Sequence, residues 1–191
     1  MTGPEKGPFV VVLGAAQHAP AAYDAVCQRL HTASTRTVVI GADPRLHPKA
    51  VVGILDALDV RWGVLVGDRA GADLAWELAA TRLDRFTGLV VIDRGHPRVP
   101  DQDGVVRDEN CPPVEINTTA LVSNPAARAA AKASQRYVYS DYRLVEFAGH
   151  GTTVAQAATT RHVERARGAA GLVEVASALA PALPAAPADA P

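Results

Sequence analysis

Aromatic side chains and net charge are both scarce in this chain. Phe, Trp and Tyr make up 5% of its 191 residues, and the formal net charge at pH 7 is −1. Proteins that bind single-stranded nucleic acid stack bases on aromatic rings, and proteins that bind duplexes or anionic membranes carry clustered positive charge. We therefore expect neither nucleic acid nor a membrane among the partners of this protein.

Cysteine is scarce too, and long apolar runs are missing. Two cysteines cannot build a disulfide framework, and Cys27 lies in a helical pattern that favours a small core residue over a bond to Cys111. The chain contains no Cys-x-x-Cys or His-x-x-x-His spacing, so we predict no metal site. No apolar run approaches the ~18 residues that cross a bilayer, and residues 1–8 lack the features of a signal peptide. We expect a cytoplasmic protein.

Short apolar runs rich in β-branched residues alternate with segments of helical periodicity. The predicted strands are 9–13, 37–40, 64–66, 88–92, 120–122 and 143–147, and the predicted helices are 21–30, 48–58, 72–83, 125–137 and 155–180. This alternation predicts an α/β fold, a three-layer doubly wound sandwich of about six mostly parallel strands flanked by helices. A single domain spans 8–180, between a tail at 1–7 and a Pro/Ala-rich, disordered tail at 181–191.

The turn after the third predicted strand has an unusual composition. Gly67-Asp-Arg-Ala-Gly71 lies between an apolar run and a helical segment. Small residues in this arrangement permit a sharp strand–turn–helix connection, the Gly-x-Nuc-x-Gly pattern of a nucleophile elbow. Its centre holds Arg69 where a nucleophile is expected, and a guanidinium group stays protonated in proteins and does not act as one.

With these features the chain resembles the α/β-hydrolase family over residues 8–180. Gly14-Ala-Ala-Gln-His18 is similar to the oxyanion loop after an early strand, and Gly41-Ala-Asp-Pro44 to the acidic turn after the second strand. Gly149-His-Gly151 is similar to the histidine turn after the last strand. The resemblance implies the strand order 2-1-3-4-5-6, without the family's first two antiparallel strands and without a lid domain.

A generic doubly wound domain is the alternative. No Gly-x-Gly-x-x-Gly follows the first strand, and no Gly-Lys-Ser or Gly-Lys-Thr occurs anywhere. These absences argue against a dinucleotide site and against a phosphate-binding P-loop. We therefore predict no cofactor.

The resemblance also places the family's catalytic roles on positions of this chain. It puts the base at His150, and it puts the acid in the turn 123–126, which holds no carboxylate. Asp93, after the preceding strand, is the alternative acid, and a His150–Asp93 pair would follow. Otherwise Asp93 begins a loop and pairs with Arg94 or Arg98. Asn124 is the nearest polar side chain, and helix capping is the competing role for it.

The backbone N–H donors of an oxyanion hole would come from Ala15 or Ala16 and from Ala70, again by resemblance. Gln17 and His18 would add side-chain contacts to a ligand. Exposure to solvent, without any role, is the competing interpretation for both.

Arg69 admits two interpretations. At the start of a helix, its guanidinium group would clamp a small anionic ligand together with the free backbone N–H groups. Alternatively, it pairs with a nearby carboxylate, and Asp68, Asp73 and Asp93 are the candidates. Asp68 itself is a poor candidate nucleophile, because a turn centred on it would need a small residue at Val66.

Three functional hypotheses remain at this point. The first is a pseudo-hydrolase that binds a small anionic ligand or a protein partner at the former active site. The second is an active hydrolase or lyase that uses His150 as a base with altered chemistry. The third is a degenerate structural subunit. A homo-oligomer is compatible with each of them, and fold alone does not choose between them.

Overall fold

Six parallel strands form a single sheet. A computed structural model of the chain describes residues 1–4, 6–16 and 18–147. The strands are β1 (Phe9–Leu13), β2 (Arg36–Ile40), β3 (Gly63–Asp68), β4 (Phe86–Ile92), β5 (Thr118–Val122) and β6 (Tyr142–Glu146). Their order is β2-β1-β3-β4-β5-β6, and every neighbouring pair is parallel. The predicted fold class and strand order are confirmed.

Four α-helices connect the strands. They are α1 (Asp24–Thr32), preceded by a 3₁₀ turn at Pro20–Tyr23, then α2 (Pro48–Ala57), α3 (Ala70–Thr81) and α4 (Pro125–Ser134), which continues into a 3₁₀ turn at Gln135–Tyr137. Proline occupies the first position of α2 and of α4, where its missing N–H group costs nothing. The predicted helix at 155–180 and the predicted tail at 181–191 lie outside the described residues.

The two faces of the sheet carry separate apolar clusters, because successive strand residues point in opposite directions. In β1, Val11 and Leu13 pack in the cluster beneath α2, α3 and α4, whereas Val10 and Val12 pack in the cluster that includes α1. All four side chains are buried. Burial on both faces explains why β1 appears in the sequence as a continuous apolar run. No helix of the described residues is long and apolar enough to span a bilayer.

The N-terminal residues pair with the outer edge of β2. Thr2 forms an antiparallel bridge with Thr37, in which each backbone N–H group donates to the other residue's carbonyl oxygen, at 3.0 and 2.9 Å. The segment that the sequence predicts as a tail therefore contacts the domain at this point.

The connection between β4 and β5 is a long loop that lacks a helix or strand of its own. It is anchored by His96, which is fully buried and stacks on Tyr137 with ring centroids 4.7 Å apart. The Nε2 atom of His96 lies 3.1 Å from the carbonyl oxygen of Pro112, and burial lowers the pKa of the imidazole to about 4. Cys27 and Cys111 are both buried free thiols.

Candidate functional site

The connection from β3 to α3 consists of one residue, Arg69. Its backbone has φ 47° and ψ −107°, a sparsely populated conformation for a residue other than glycine. The flanking glycines make this turn sterically feasible. A Cβ atom at Gly67 would collide with the Cα atom of Ala72, and one at Gly71 would collide with the carbonyl oxygen of Leu13. The Gly-x-x-x-Gly pattern therefore has a steric cause.

The carboxylate of Asp68 lies fully buried directly before this turn. Its Oδ2 atom accepts a hydrogen bond of 2.7 Å from the hydroxyl group of Tyr23, and its Oδ1 atom accepts one of 2.9 Å from Nη1 of Arg69. A buried carboxylate without such donors would be strongly destabilising. Asp68 is thus compensated by one neutral donor and by one guanidinium group.

The Tyr23 hydroxyl group also accepts a hydrogen bond of 2.9 Å from the backbone N–H group of Ala15. This contact corrects the prediction that Ala15 offers its N–H group to an oxyanion, because the group already donates within the protein. Burial raises the pKa of Tyr23, so its hydroxyl group remains a donor to Asp68. Ala16 and Ala70 are exposed at the same edge of the sheet.

His18 lies on the other side of the Asp68 carboxylate. Its Nδ1 atom is 3.6 Å from Oδ2 of Asp68, and its side chain is 11% exposed. The Nδ1 atom is buried and has no hydrogen-bond partner among the described residues. The imidazole ring stands edge-on to the ring of Tyr23, with centroids 6.3 Å apart. His18 is therefore a neighbour of the carboxylate and not a solvated loop residue.

The guanidinium group of Arg69 lies between two carboxylates. Its Nη1 atom donates to Asp68, and its Nη2 atom lies 4.0 Å from Oδ2 of Asp93. The side chain is 21% exposed, so part of the group reaches solvent. Of the three predicted carboxylate partners, Asp68 makes the hydrogen bonds, whereas Asp73 binds Arg94 and Arg107 instead.

Asp93 is held at the end of β4 by Ser123, which follows β5. Its Oδ1 atom accepts from the backbone N–H group of Ser123 at 2.7 Å, and its Oδ2 atom accepts from the Ser123 hydroxyl group at 2.6 Å. The alternative prediction that Asp93 pairs with Arg94 or Arg98 is wrong, because Arg94 donates to Asp73 and Arg98 donates to the carbonyl oxygen of Glu109.

Asn124 serves as the N-cap of α4. Its Oδ1 atom accepts a hydrogen bond of 2.8 Å from the backbone N–H group of Ala127. This is the capping role that the sequence pattern offers as an alternative to ligand contact. His150 and Gln17 lie outside the described residues, so the His150–Asp93 pair stays a prediction.

Two residues of the site, Tyr23 and Ser123, are not predicted from the sequence. Tyr23 belongs to an apolar helical pattern, which indicates a core position and gives no sign of a polar contact with β3. Ser123 occupies the turn where the resemblance places an acid, and its position after β5 is the only signal that could have identified it. Tyr23 holds the carboxylate of Asp68, and Ser123 holds that of Asp93, at the carboxyl ends of the strands.

Among the described residues, two cavities open at this edge. The first, of about 440 Å³, adjoins the Arg69 turn and is lined mainly by apolar side chains and backbone at the ends of β1 and β2 and the first turn of α3, including Leu13, Ile40, Leu46 and Leu74. The second, of about 540 Å³, lies between α4 and the loop after β4, and Asp93, Arg94 and Arg107 contribute to its wall. Cavities of this size accommodate small ligands.

Several solved structures of enzymes are similar in architecture to this chain. Epoxide hydrolase A from Mycobacterium thermoresistibile matches with a TM-score of 0.65 over 91% of this chain and 92% of that chain, at 12% identity. A loop variant of a haloalkane dehalogenase from Bradyrhizobium elkanii matches with a TM-score of 0.61 over 93% and 92%, also at 12% identity. An enol-lactonase from Burkholderia xenovorans matches with a TM-score of 0.56 over 75% and 85%, at 12% identity.

No protein-family model matches this sequence, and no curated protein matches it either. At identities this low, the structural matches establish a common fold and carry no statement about activity.

Proposed function

Because this chain has the α/β-hydrolase fold, we propose that it is a pseudo-hydrolase that binds a small anionic ligand at the Arg69 turn. One observation carries the proposal. The strained position between β3 and α3, where the resemblance places a nucleophile, holds a guanidinium group that donates to a buried carboxylate. Such a group binds anions and does not attack a carbonyl carbon.

The surrounding charges narrow the class of ligand. Asp68 occupies Nη1 of Arg69, so an anion would approach Nη2, which is 4.0 Å from Asp93. Asp68 and Asp93 carry two negative charges against the one positive charge of Arg69, so the three side chains have a net charge of −1. Because the Coulomb energy scales with the charge of the ligand, a doubly charged group meets twice the net repulsion that a singly charged group meets. We propose a ligand with a single negative charge.

The apolar cavity beside the turn supports a ligand with an apolar body. Leu13, Ile40 and Leu74 contribute to its lining, and Ala70 and Gly71 place the start of α3 at its wall. Arg69 does not itself line this cavity, whereas Asp43 does. A short aliphatic monocarboxylate would therefore place its chain against the apolar lining and extend its carboxylate past Ala70 towards the guanidinium group. Burial of the chain would supply affinity that the balanced charges do not.

The absence of hydrolysis is tested with short-chain p-nitrophenyl esters on the wild type, His150→Ala, Arg69→Ser and Arg69→Ser/His150→Ala. We expect an inert wild type, turnover in Arg69→Ser, and its loss in the double variant, because a hydroxyl nucleophile needs a base. Turnover by the wild type that disappears in His150→Ala would show an active enzyme and overturn the proposal.

Ligand binding is tested by calorimetry with hexanoate, and with hexanamide as the uncharged analogue. Arg69→Met should weaken hexanoate binding at least tenfold, the effect of losing about 1.4 kcal/mol or more of charge-assisted hydrogen bonding. Arg61→Met is the matched control. Arg61 precedes β3 at the amino ends of the strands, and its side chain is 84% exposed. Equal affinity for hexanamide, or equal weakening by both variants, would contradict an anion site at Arg69.

A further inference from the structure

The cavity between α4 and the loop after β4 has two different walls. The α4 wall consists mainly of alanine methyl groups, from Ala126, Ala127, Ala129, Ala130 and Ala133. On the loop side, Val99 and Pro100 adjoin charged residues. Because alanine has a short apolar side chain, this face of α4 leaves room for an apolar group of a ligand. The volume of about 540 Å³ lies within the range of small-molecule sites.

Two guanidinium groups share one carboxylate at this cavity. Arg94 donates to Asp73 through Nε and Nη2, at 3.0 and 2.7 Å, and Arg107 donates to it through Nε at 2.8 Å. Nη2 of Arg107 donates to the carbonyl oxygen of Gly95 at 2.7 Å. Both arginines line the cavity, and Asp73 does not. Among the described residues, the Nη1 group of neither arginine has a hydrogen-bond partner. The pair therefore presents unused donors and one positive charge more than Asp73 balances.

A carboxylate of the same lining supplies the opposite charge. Oδ1 of Asp101 accepts hydrogen bonds from the backbone N–H groups of Asp103 and Val105, at 3.0 and 2.9 Å, which hold the side chain in place. Its Oδ2 atom accepts no hydrogen bond from the residues that the structure describes. Hydrogen bonding to Asp73, and to a smaller extent the charge of Asp101, raises the pKa of Arg94. Asp101 therefore lies close enough to the guanidinium pair for one small ligand to contact both.

We propose that this cavity binds a free α-amino acid with a large apolar side chain, in its zwitterionic form. The ligand carboxylate accepts hydrogen bonds from Nη1 of Arg94 and of Arg107. The ligand ammonium group donates to Oδ2 of Asp101, and its side chain lies against the alanine face of α4. Hydrogen bonds between ionised partners are about twice as strong as those between neutral ones. This second site does not depend on a ligand at the Arg69 turn.

The charges of the lining favour a zwitterion over an ion of one sign. The lining holds two arginines and two aspartates, so its formal charges sum to zero. Both oxygens of Asp93 already accept from Ser123, which leaves Asp101 as the acceptor for an ammonium group. A charged group that loses water without gaining a partner is strongly destabilised. An anion without an ammonium group would leave Asp101 in that position, and a cation without a carboxylate would do the same to the guanidinium pair.

The test is calorimetry at pH 6.5, where α-amino groups are protonated. The probes are L-phenylalanine, 3-phenylpropanoate, which lacks the ammonium group, and L-phenylalaninamide, which lacks the carboxylate. We expect L-phenylalanine to bind at least tenfold more tightly than either analogue. Arg94→Met should weaken its binding at least tenfold and leave the affinity for the amide unchanged. Asp101→Asn retains the Oδ1 acceptor, and it should weaken L-phenylalanine binding while leaving the affinity for 3-phenylpropanoate unchanged.

Ala129→Leu tests the apolar wall without altering a charged group. Ala129 is exposed and lines the cavity, so the longer side chain fills the cavity and leaves the core intact, and binding of L-phenylalanine should be lost. Lys132→Leu is the matched control, because Lys132 is exposed on the same helix and does not line the cavity.

Three results would overturn the inference. They are an absence of L-phenylalanine binding, an equal affinity for 3-phenylpropanoate, and binding that persists in Ala129→Leu. Each would leave the proposed function at the Arg69 turn standing, since that proposal concerns a different cavity and is tested with hexanoate.

Discussion

Tyr23 donates its hydroxyl hydrogen to the Asp68 carboxylate across 2.7 Å, and both side chains are fully buried. The contact joins the 3₁₀ turn before α1 to the last residue of β3. Because the same hydroxyl oxygen accepts from Ala15, it also fixes the loop that follows β1. The geometry of the turn at Arg69 therefore depends on a residue that lies 45 positions before Asp68 in the sequence.

Tyr23→Phe should destabilise the protein by about 2 to 6 kcal/mol. The substitution leaves the N–H group of Ala15 without an acceptor and removes one of the donors to Asp68, and each such loss costs about 1 to 3 kcal/mol. Urea unfolding followed by circular dichroism measures the change. Tyr139→Phe is the control, because Tyr139 is 69% exposed, and it should shift stability by less than about 0.5 kcal/mol. Similar losses in both variants would contradict a special role for Tyr23.

Arg69→Gly should be more stable than Arg69→Ala by about 1 to 2 kcal/mol. Both variants remove the guanidinium group, so the loss of compensation at Asp68 is common to them. They differ in the Cβ atom, which makes φ 47° and ψ −107° unfavourable for alanine and accessible to glycine. The comparison uses unfolding free energies at pH 7. Equal stabilities would show that the turn relaxes once the arginine is gone.

Gly71→Ala should lower the free energy of unfolding by about 3 kcal/mol, because the new Cβ atom would collide with the backbone of Leu13, which cannot rotate away. Gly53→Ala is the matched variant in α2, where nothing lies within 4 Å of the new Cβ atom. Because alanine has a higher helix propensity than glycine, Gly53→Ala should raise the free energy of unfolding by up to about 1 kcal/mol. Thermal and urea unfolding of the pair should therefore show effects of opposite sign.

Stability should decrease as pH falls from about 6.5 to about 4. Burial holds the pKa of His96 near 4 in the folded protein, whereas an imidazole in the unfolded chain has a pKa of about 6.5. Between these values the unfolded state binds more protons, so acid favours unfolding by up to about 3 kcal/mol, and His96 adds no further loss below pH 4. The measurements are urea midpoints at pH 7, 5.5 and 4.5, with an NMR titration of the imidazole. A His96 ring that is protonated at pH 5.5 in the folded protein would contradict this prediction.

The fold is largely predictable because its causes are local. Buried parallel strands appear as continuous apolar runs, and Pro48 and Pro125 mark the first positions of α2 and α4. Strand order is not a local property, and it was predicted only through the resemblance. The buried position of His96 was not predicted, because Pro and Asp residues dominate the composition of its loop.

The sequence predicts the backbone turn of the site. It does not predict which side chains contact each other there. The glycines around Arg69 indicate a tight turn, and a steric cause for them is present in the structure. No sequence pattern selects Asp68 over Asp73 as the partner of Arg69, or Ser123 over a neighbouring arginine as the partner of Asp93. These choices depend on which strands are adjacent at the carboxyl edge, and that is known only once the chain has folded.

The Thr2–Thr37 bridge has a consequence for self-association. An exposed strand edge is a template on which another chain can add, and chains with two open edges can polymerise into fibres. Thr2 occupies part of the β2 edge, so strand addition at that side is obstructed. Among the described residues, β6 is the strand at the opposite edge. Copies joined by pairing β6 with β6 would form a closed two-fold pair and could not extend it into a filament.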